Sequence, residues 1–91
     1  MVTPTEYKLA NAYPNPFNSR TNVTCDLPER SLVSLKLYDI SGREVTILYQ
    51  GMLNAGSHSS VWDATDAPSG VYICKLESGN RTETLKLTLI R

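Results

Sequence analysis

Hydrophobic and polar residues alternate along most of this chain at the two-residue period of a β-strand. The clearest example is residues 69–76, where Tyr72, Cys74 and Leu76 form an uncharged set that we expect to face the core. A Pro-Ser-Gly break precedes this stretch and a Ser-Gly-Asn turn follows it, as is typical of a strand between two turns. The pattern therefore predicts a strand around which the other strands can pack.

The same alternation predicts further strands on both sides of this one, at residues 21–27, 32–38, 44–50, 57–63 and 81–91. An extended lead-in over residues 1–12 adds one more, with Tyr7 and Leu9 facing the core. The other inward positions are Val23, Cys25, Leu27, Val33, Leu35, Leu37, Leu85, Leu87 and Leu89. About seven strands with short turns and no helical period indicate an all-β fold, an immunoglobulin-like antiparallel β-sandwich.

Two connections have a composition that predicts their structure. Residues 13–18 contain two prolines, which fix φ and remove backbone donors, so we expect a stiff crossing at a sheet edge with Phe17 plugging one end of the core. Residues 39–43 predict a hairpin loop, in which Asp39 accepts a backbone hydrogen bond and Gly42 supplies a positive φ. Residues 51–56 are expected to form the next connection.

Length and charge narrow the class of protein. A chain of 91 residues is enough for one domain, and we expect a single domain over residues 1–91, with 1–6 as lead-in, excised from the C-terminus of a larger secreted protein. Nine basic residues balance nine acidic ones without clustering, which argues against a nucleic-acid partner. The sequence contains no apolar run of the ~18 residues that a membrane span requires.

The two cysteines, Cys25 and Cys74, have two interpretations. Both lie at inward positions, so they can be small buried hydrophobic residues. In strand order they also fall on the second and sixth strands, which a disulfide joins in immunoglobulin domains. A disulfide across the sandwich would contribute roughly 4 kcal/mol in the chain-entropy model, and it is the interpretation we favour.

Catalytic chemistry is not indicated by the residues present. The single histidine, His58, does not form a recognisable catalytic triad, because no nucleophile and acid lie at a suitable spacing from it. The spacing of His58 from the two cysteines also does not match that of a zinc site. Residues 63–66 fit a turn better than a calcium loop. We therefore expect no enzyme activity, no cofactor and no metal. One binding alternative is a sugar-stacking platform formed by Tyr13, Tyr38, Tyr49 and Trp62; the other interpretation of Trp62 is that it caps the core.

Four motifs in order resemble a known family: Tyr13–Asn18, Leu37–Val45, Pro68–Tyr72 and Leu85–Leu87. Together they look like the C-terminal sorting domains of the type IX secretion system, and the resemblance extends from about Tyr7 to Arg91. The pattern is also similar to the immunoglobulin-like domain of the bacterial flagellar hook-capping protein. No motif is specific alone, but their order and spacing are.

The resemblance implies a non-catalytic export signal. Such a domain directs an upstream cargo protein through the periplasm and across the outer membrane of a Gram-negative bacterium to the cell surface. The implied partners are the outer-membrane secretion machinery and a surface sortase that removes the domain and attaches the cargo to lipopolysaccharide. The isolated domain is expected to be a monomer. Two alternatives are a retained structural or adhesive module and a carbohydrate-binding accessory domain.

The family's signal elements carry over to eight positions, which we call the sorting-motif residues. They are Pro14, Asn15, Pro16, Gly42, Arg43, Gly70, Tyr72 and Lys86. The two cysteines are not part of the family's signature. We expect the machinery to read the last strand, by adding a strand to its edge, together with the Gly42–Arg43 hairpin.

Overall fold

The computed structural model describes residues 7–91, and the expected lead-in at residues 1–6 lies outside the described part. Within that part, every regular element is a β-strand. The strands are β1 (Lys8–Tyr13), β2 (Arg20–Leu27), β3 (Ser31–Asp39), β4 (Glu44–Leu53), β5 (Gly56–Asp63), β6 (Gly70–Ser78) and β7 (Arg81–Leu89). These strands confirm the all-β prediction.

The strands form two antiparallel sheets. One sheet has the order β1-β2-β5 and the other has the order β4-β3-β6-β7. The chain changes sheet between β2 and β3, between β4 and β5 and between β5 and β6, because each of these pairs is split between the sheets. As a result, β1 and β7 meet along one flank of the molecule, and β4 and β5 meet along the other.

The inward faces of both sheets share one hydrophobic core, because alternate side chains of each strand point to the same side. The predicted inward residues of β2, β3 and β6 are all buried. Five core residues are fully excluded from solvent: Val23, Leu27, Leu37, Cys74 and Leu87. Leu85 on β7 is only partly buried, although Leu87 and Leu89 are buried as predicted. The core thus follows the sequence pattern closely.

β4 is longer than the pattern predicted. Residues 51–53 were expected to belong to the connection, but they pair with residues 31–33 of β3 and extend the strand to Leu53. The reason is that β3 already begins at Ser31, which gives the end of β4 partners for its backbone. Two register shifts between β3 and β4 explain the weak alternation of this edge strand.

Three aromatic rings close one end of the core. Trp62 is 5% exposed, and its ring lies 5.5 Å from that of Phe17 and 5.0 Å from that of Tyr72. Phe17 is therefore the predicted plug and Trp62 the predicted cap. The sugar-stacking platform is wrong, because Trp62 is buried, whereas Tyr13 lies exposed on β1 and Tyr38 lies on β3 of the other sheet.

The expected disulfide between Cys25 and Cys74 is also wrong. Both thiols are free and buried. Cys25 lies on β2 of one sheet and Cys74 on β6 of the other. A disulfide requires Cα atoms within roughly 4.4–6.8 Å and Cβ atoms that point toward each other. Two inward positions on facing sheets can meet that requirement, as they do in immunoglobulin domains, but they need not. The alternation places both residues in the core, but it does not fix the distance or the orientation of one side chain relative to the other.

Candidate functional site

The sorting-motif residues come together at one end of the four-stranded sheet. Asp39 at the end of β3, Tyr72 at the start of β6 and Leu87 near the end of β7 form one row across that sheet. Gly42 and Arg43 follow β3, and Gly70 pairs with Leu89 in β7. The structure therefore gathers motifs that are far apart along the chain.

The proline-rich segment crosses from β1 to the edge of β7, and we call residues 14–18 the edge strap. The Asn15 side chain is its main contact. Its Nδ2 donates to the carbonyl oxygen of Lys86 at 3.0 Å, and its Oδ1 accepts from the backbone N–H of Thr88 at 3.0 Å. The amide thereby makes the pair of bonds that a neighbouring strand would make. The Tyr13–Pro14 and Asn15–Pro16 peptide bonds on either side are both cis.

Phe17 continues the cover with its backbone. Its N–H donates to the carbonyl oxygen of Thr88 at 3.0 Å, and its own carbonyl accepts from the N–H of Ile90 at 2.8 Å. The edge strap thus pairs with four outward backbone groups of β7 and the residue after it: the carbonyl oxygens of Lys86 and Thr88 and the N–H groups of Thr88 and Ile90. This is an effective way to blunt a sheet edge, because exposed N–H and C=O groups otherwise attract other strands.

Thr21 on β2 holds the edge strap in place through a hydrogen bond, a role that was not predicted from the sequence. Its Oγ1 donates to the carbonyl oxygen of Pro14 at 2.7 Å, and the residue is buried at the start of β2. The available signal was that a polar residue occupies an inward position, in phase with Val23. A buried hydroxyl requires a hydrogen-bond partner, and here that partner is the strap.

The other half of the β7 edge is open. Alternate residues of a strand direct their backbone groups to the same edge, so Thr82 and Thr84 share the edge that Lys86 and Thr88 present to the strap. In the described part of the chain, no backbone group pairs with Thr82 or Thr84 on that side. Residues 81–84 are all exposed. This short open segment has the geometry to accept an added strand.

The hairpin that carries Gly42 and Arg43 is organised by Asp39. Its Oδ1 accepts from the N–H and the hydroxyl of Ser41, at 2.9 and 2.6 Å, and from the N–H of Arg43 at 3.0 Å. The Ser41 hydroxyl is the main cause of a lowered pKa for this carboxyl group, followed by the Arg43 N–H. Gly42 has φ +89°, as predicted. The loop therefore has a defined shape, which local hydrogen bonds hold.

Tyr72 connects this hairpin to the last strand. Within the four-stranded sheet it lies between Asp39 of β3 and Leu87 of β7. Its hydroxyl donates to the carbonyl oxygen of Pro68 at 2.5 Å, which fixes the loop that enters β6. The residue is buried, so its part in the site is to position the neighbouring elements.

Arg91 is a second residue that sequence reasoning missed. Its guanidinium donates to the carbonyl oxygens of Ala64 and Ala67, and its N–H donates to the Ser69 Oγ at 3.2 Å. These contacts tie the end of the chain to the loop between β5 and β6. No local pattern could have indicated them, because the partners lie 22 to 27 residues away.

The titratable residues outside this site have structural contacts. The Nε2 of His58 donates to the carbonyl oxygen of Asn54 at 2.7 Å. The Oδ1 of Asp63 accepts from the hydroxyl and N–H of Thr65, which lower the pKa of the carboxyl group and form the expected turn. Across residues 7–91, no group of His, Cys, Asp and Glu side chains is arranged to hold a metal ion. The same residues include no helix of the length and hydropathy that crossing a membrane requires.

Comparison with known protein families gives one result for nearly the whole chain. Residues 11–90 match the family model described as "Secretion system C-terminal sorting domain". The matched range contains all of the sorting-motif residues. The comparisons with curated proteins and with solved structures found no match.

Proposed function

The chain belongs to the family of secretion system C-terminal sorting domains, and on that premise we propose that it directs an upstream cargo protein through the type IX system. The cargo crosses the outer membrane of a Gram-negative bacterium to the cell surface. There a sortase removes the domain and joins the cargo to lipopolysaccharide. The domain itself is a non-catalytic signal that the secretion machinery recognises by shape.

The half-open edge of β7 is the observation that carries this proposal. The edge strap occupies residues 86–90, and the exposed residues 81–84 leave backbone groups free for an added strand. The Gly42–Arg43 hairpin lies at the end of the four-stranded sheet where β7 is covered, with β6 between β3 and β7, and it supplies a second contact. A partner that contacts both the open segment of β7 and the hairpin is sensitive to the length and orientation of the last strand.

An export assay with a single-residue variant tests this mechanism. Deleting residues 85–91 would remove Leu87 and Leu89 from the core and unfold the domain, so we choose Thr84→Pro in a fusion of a reporter to residues 1–91. Proline removes an edge N–H that makes no ladder bond to β6 and leaves the core intact. We expect folded protein, judged by its circular dichroism and melting temperature, and strongly reduced export.

Thr84→Ala is the matched control, because it shortens the same side chain but keeps the N–H. Export of Thr84→Ala should equal that of the unchanged fusion. Equal export of a folded Thr84→Pro protein would contradict recognition through the edge. The retained-module alternative is tested in the same cells, because an antibody against the domain should not detect it on the mature surface protein if it is removed.

The strand order supports an immunoglobulin-like arrangement, which we also propose. With the strands lettered in the immunoglobulin scheme, β1-β2-β5 corresponds to A-B-E and β4-β3-β6-β7 to C′-C-F-G. The sandwich then lacks a D strand beside β5. An experimental structure with β4 hydrogen-bonded to β5 would contradict this assignment.

A further inference from the structure

A large groove lies along the flank opposite the edge strap, between β4 and β5. Its volume is about 820 Å³, within the roughly 300–1,000 Å³ typical of ligand sites. Trp62 and Tyr72 form its floor, Val45 and Ile47 of β4 form one wall, and Val61 of β5 contributes to the other. We call this feature the β4–β5 groove.

Both walls of the β4–β5 groove are sheet edges. β4 is the last strand of the four-stranded sheet and β5 is the last strand of the three-stranded sheet, and neither has a further strand among the described residues. On the other flank, the edge strap fills the corresponding position beside β7. The groove therefore offers backbone groups to an extended chain, together with exposed aliphatic side chains at Ile47 and Val61.

Carboxylates outnumber cationic groups around the β4–β5 groove by one, when Arg20 beside Asp63 is counted with the lining residues. The lining includes the carboxylates of Asp39, Asp63 and Asp66 and the guanidinium of Arg43. Hydrogen bonds lower the pKa values of Asp39 and Asp63, so both are ionised at neutral pH. The local turns use only Oδ1 of each carboxylate, and Oδ2 of Asp63 lies 3.6 Å from Nε of Arg20. The excess of carboxylates favours a ligand that carries positive charge.

We propose that the β4–β5 groove binds an extended segment of a partner protein that carries aliphatic side chains at alternate positions and lysine or arginine between them. Its backbone adds to the edge of β4, and its aliphatic side chains pack on Val45, Ile47 and Trp62. A cationic side chain of the segment lies at the rim, near Asp66. This surface is separate from the open segment of β7, although it shares Arg43 and Tyr72 with the sorting-motif residues.

A direct binding experiment uses the whole domain and a defined probe. The probe is a six-residue peptide of alternating valine and lysine, blocked at both ends, and the comparison peptide has glutamate in place of lysine. Trp62 is the only tryptophan and lines the groove, so its fluorescence reports occupancy. We expect saturable binding of the lysine peptide at low salt and at least tenfold weaker binding of the glutamate peptide.

Two matched pairs of variants locate the binding site. Ile47 and Met52 are both on β4 and are 45% and 46% exposed, but only Ile47 lines the groove. Ile47→Ser should weaken binding of the lysine peptide at least fivefold, whereas Met52→Ser should leave it unchanged. Asp66→Lys should weaken it at least tenfold, whereas Glu83→Lys, on β7, should not.

Three outcomes would overturn the proposal: no saturable change in fluorescence, equal binding of the two peptides, or equal effects within either pair of variants. Thr84→Pro should bind the peptide as the unchanged domain does. A failure of export in that variant therefore leaves this inference intact, and a failure of peptide binding leaves the proposed sorting role intact.

Discussion

Cys74 shows what burial does to a reactive side chain in this core. Its side chain is fully excluded from solvent, and this burial raises the pKa of the thiol to about 12, with a smaller contribution from Cys25. Burial also raises the pKa of Cys25, and the neighbouring Asp26 adds to that shift. Because the thiolate is the nucleophile, both cysteines are inert at neutral pH.

We therefore expect neither thiol to react with Ellman's reagent at pH 8 in the folded domain. Both should react once guanidinium chloride unfolds it. The intact mass should not change on reduction alone. One reactive thiol in the native protein, or a gain of two hydrogens on reduction, would contradict the buried free thiols.

Stability should fall at alkaline pH because of Cys74. Below a pH of about 9 the thiol is protonated in both states, so its pKa shift has no effect on the free energy of unfolding. Above that pH the unfolded chain loses the proton, whereas the folded protein keeps it until about pH 12, so unfolding becomes more favourable through this window. Urea midpoints at several pH values measure the loss, and Cys74→Val should reduce its slope. An unchanged slope would contradict the raised pKa.

At the scale of residues, the sequence predicted which way side chains point but not how far apart they lie. Alternation correctly placed Cys25 and Cys74 inward, because a strand has a fixed period of two. It could not predict that the two thiols are free, since a disulfide depends on the distance and orientation of one side chain relative to the other. Thr21 was open to prediction from its inward phase, but its partner, the carbonyl of Pro14, was not.

At the scale of elements, the edge strap replaces a strand with one side chain and one backbone unit. Asn15 makes two hydrogen bonds to β7, and Phe17 makes the next two through its backbone. The hairpin at residues 39–43 was predictable because its contacts are local. The contacts of Asn15 were not, because Lys86 lies 71 residues away.

Asn15→Ala should release the strap from the edge of β7. Two partly exposed hydrogen bonds at roughly 0.5–1.5 kcal/mol each suggest a loss of about 1–2 kcal/mol in the free energy of unfolding. Hydrogen exchange at the Thr88 amide should become faster, because that N–H loses its acceptor. Asn18→Ala is the matched control, since its side chain is exposed and makes no hydrogen bond to the described residues. Unchanged exchange at Thr88 would contradict the role of Asn15.

At the scale of the whole molecule, one flank of the paired sheets is covered and the other is open. The strap closes the flank between β1 and β7, whereas the flank between β4 and β5 remains a groove. Phe17 joins the strap to the core, because its backbone pairs with β7 while its ring packs on Trp62. The number of strands followed from the sequence pattern, but this asymmetry did not, since it depends on the order of the strands within each sheet.

Phe17→Ala should destabilise the entire fold. Removing a buried phenylalanine costs about 3–5 kcal/mol, a large part of the roughly 5–15 kcal/mol that stabilises a typical domain. Tyr13→Ala, at a residue that is 72% exposed, should change the free energy of unfolding by about 0.5 kcal/mol or less. Urea unfolding followed by Trp62 fluorescence measures both. A loss below about 1 kcal/mol for Phe17→Ala would mean that the ring is not a plug.

The edge of β7 also limits how long a contact can be. An added strand can pair with the free backbone groups of Thr82 and Thr84. From the Lys86 carbonyl onward, Asn15 and Phe17 already make hydrogen bonds to this edge. A longer contact must replace the hydrogen bonds that the edge strap makes to β7, beginning next to the open segment. The edge strap thus limits the length of a nonspecific contact to this open segment. Only a partner whose further contacts contribute enough binding free energy to displace the strap can pair with more of β7.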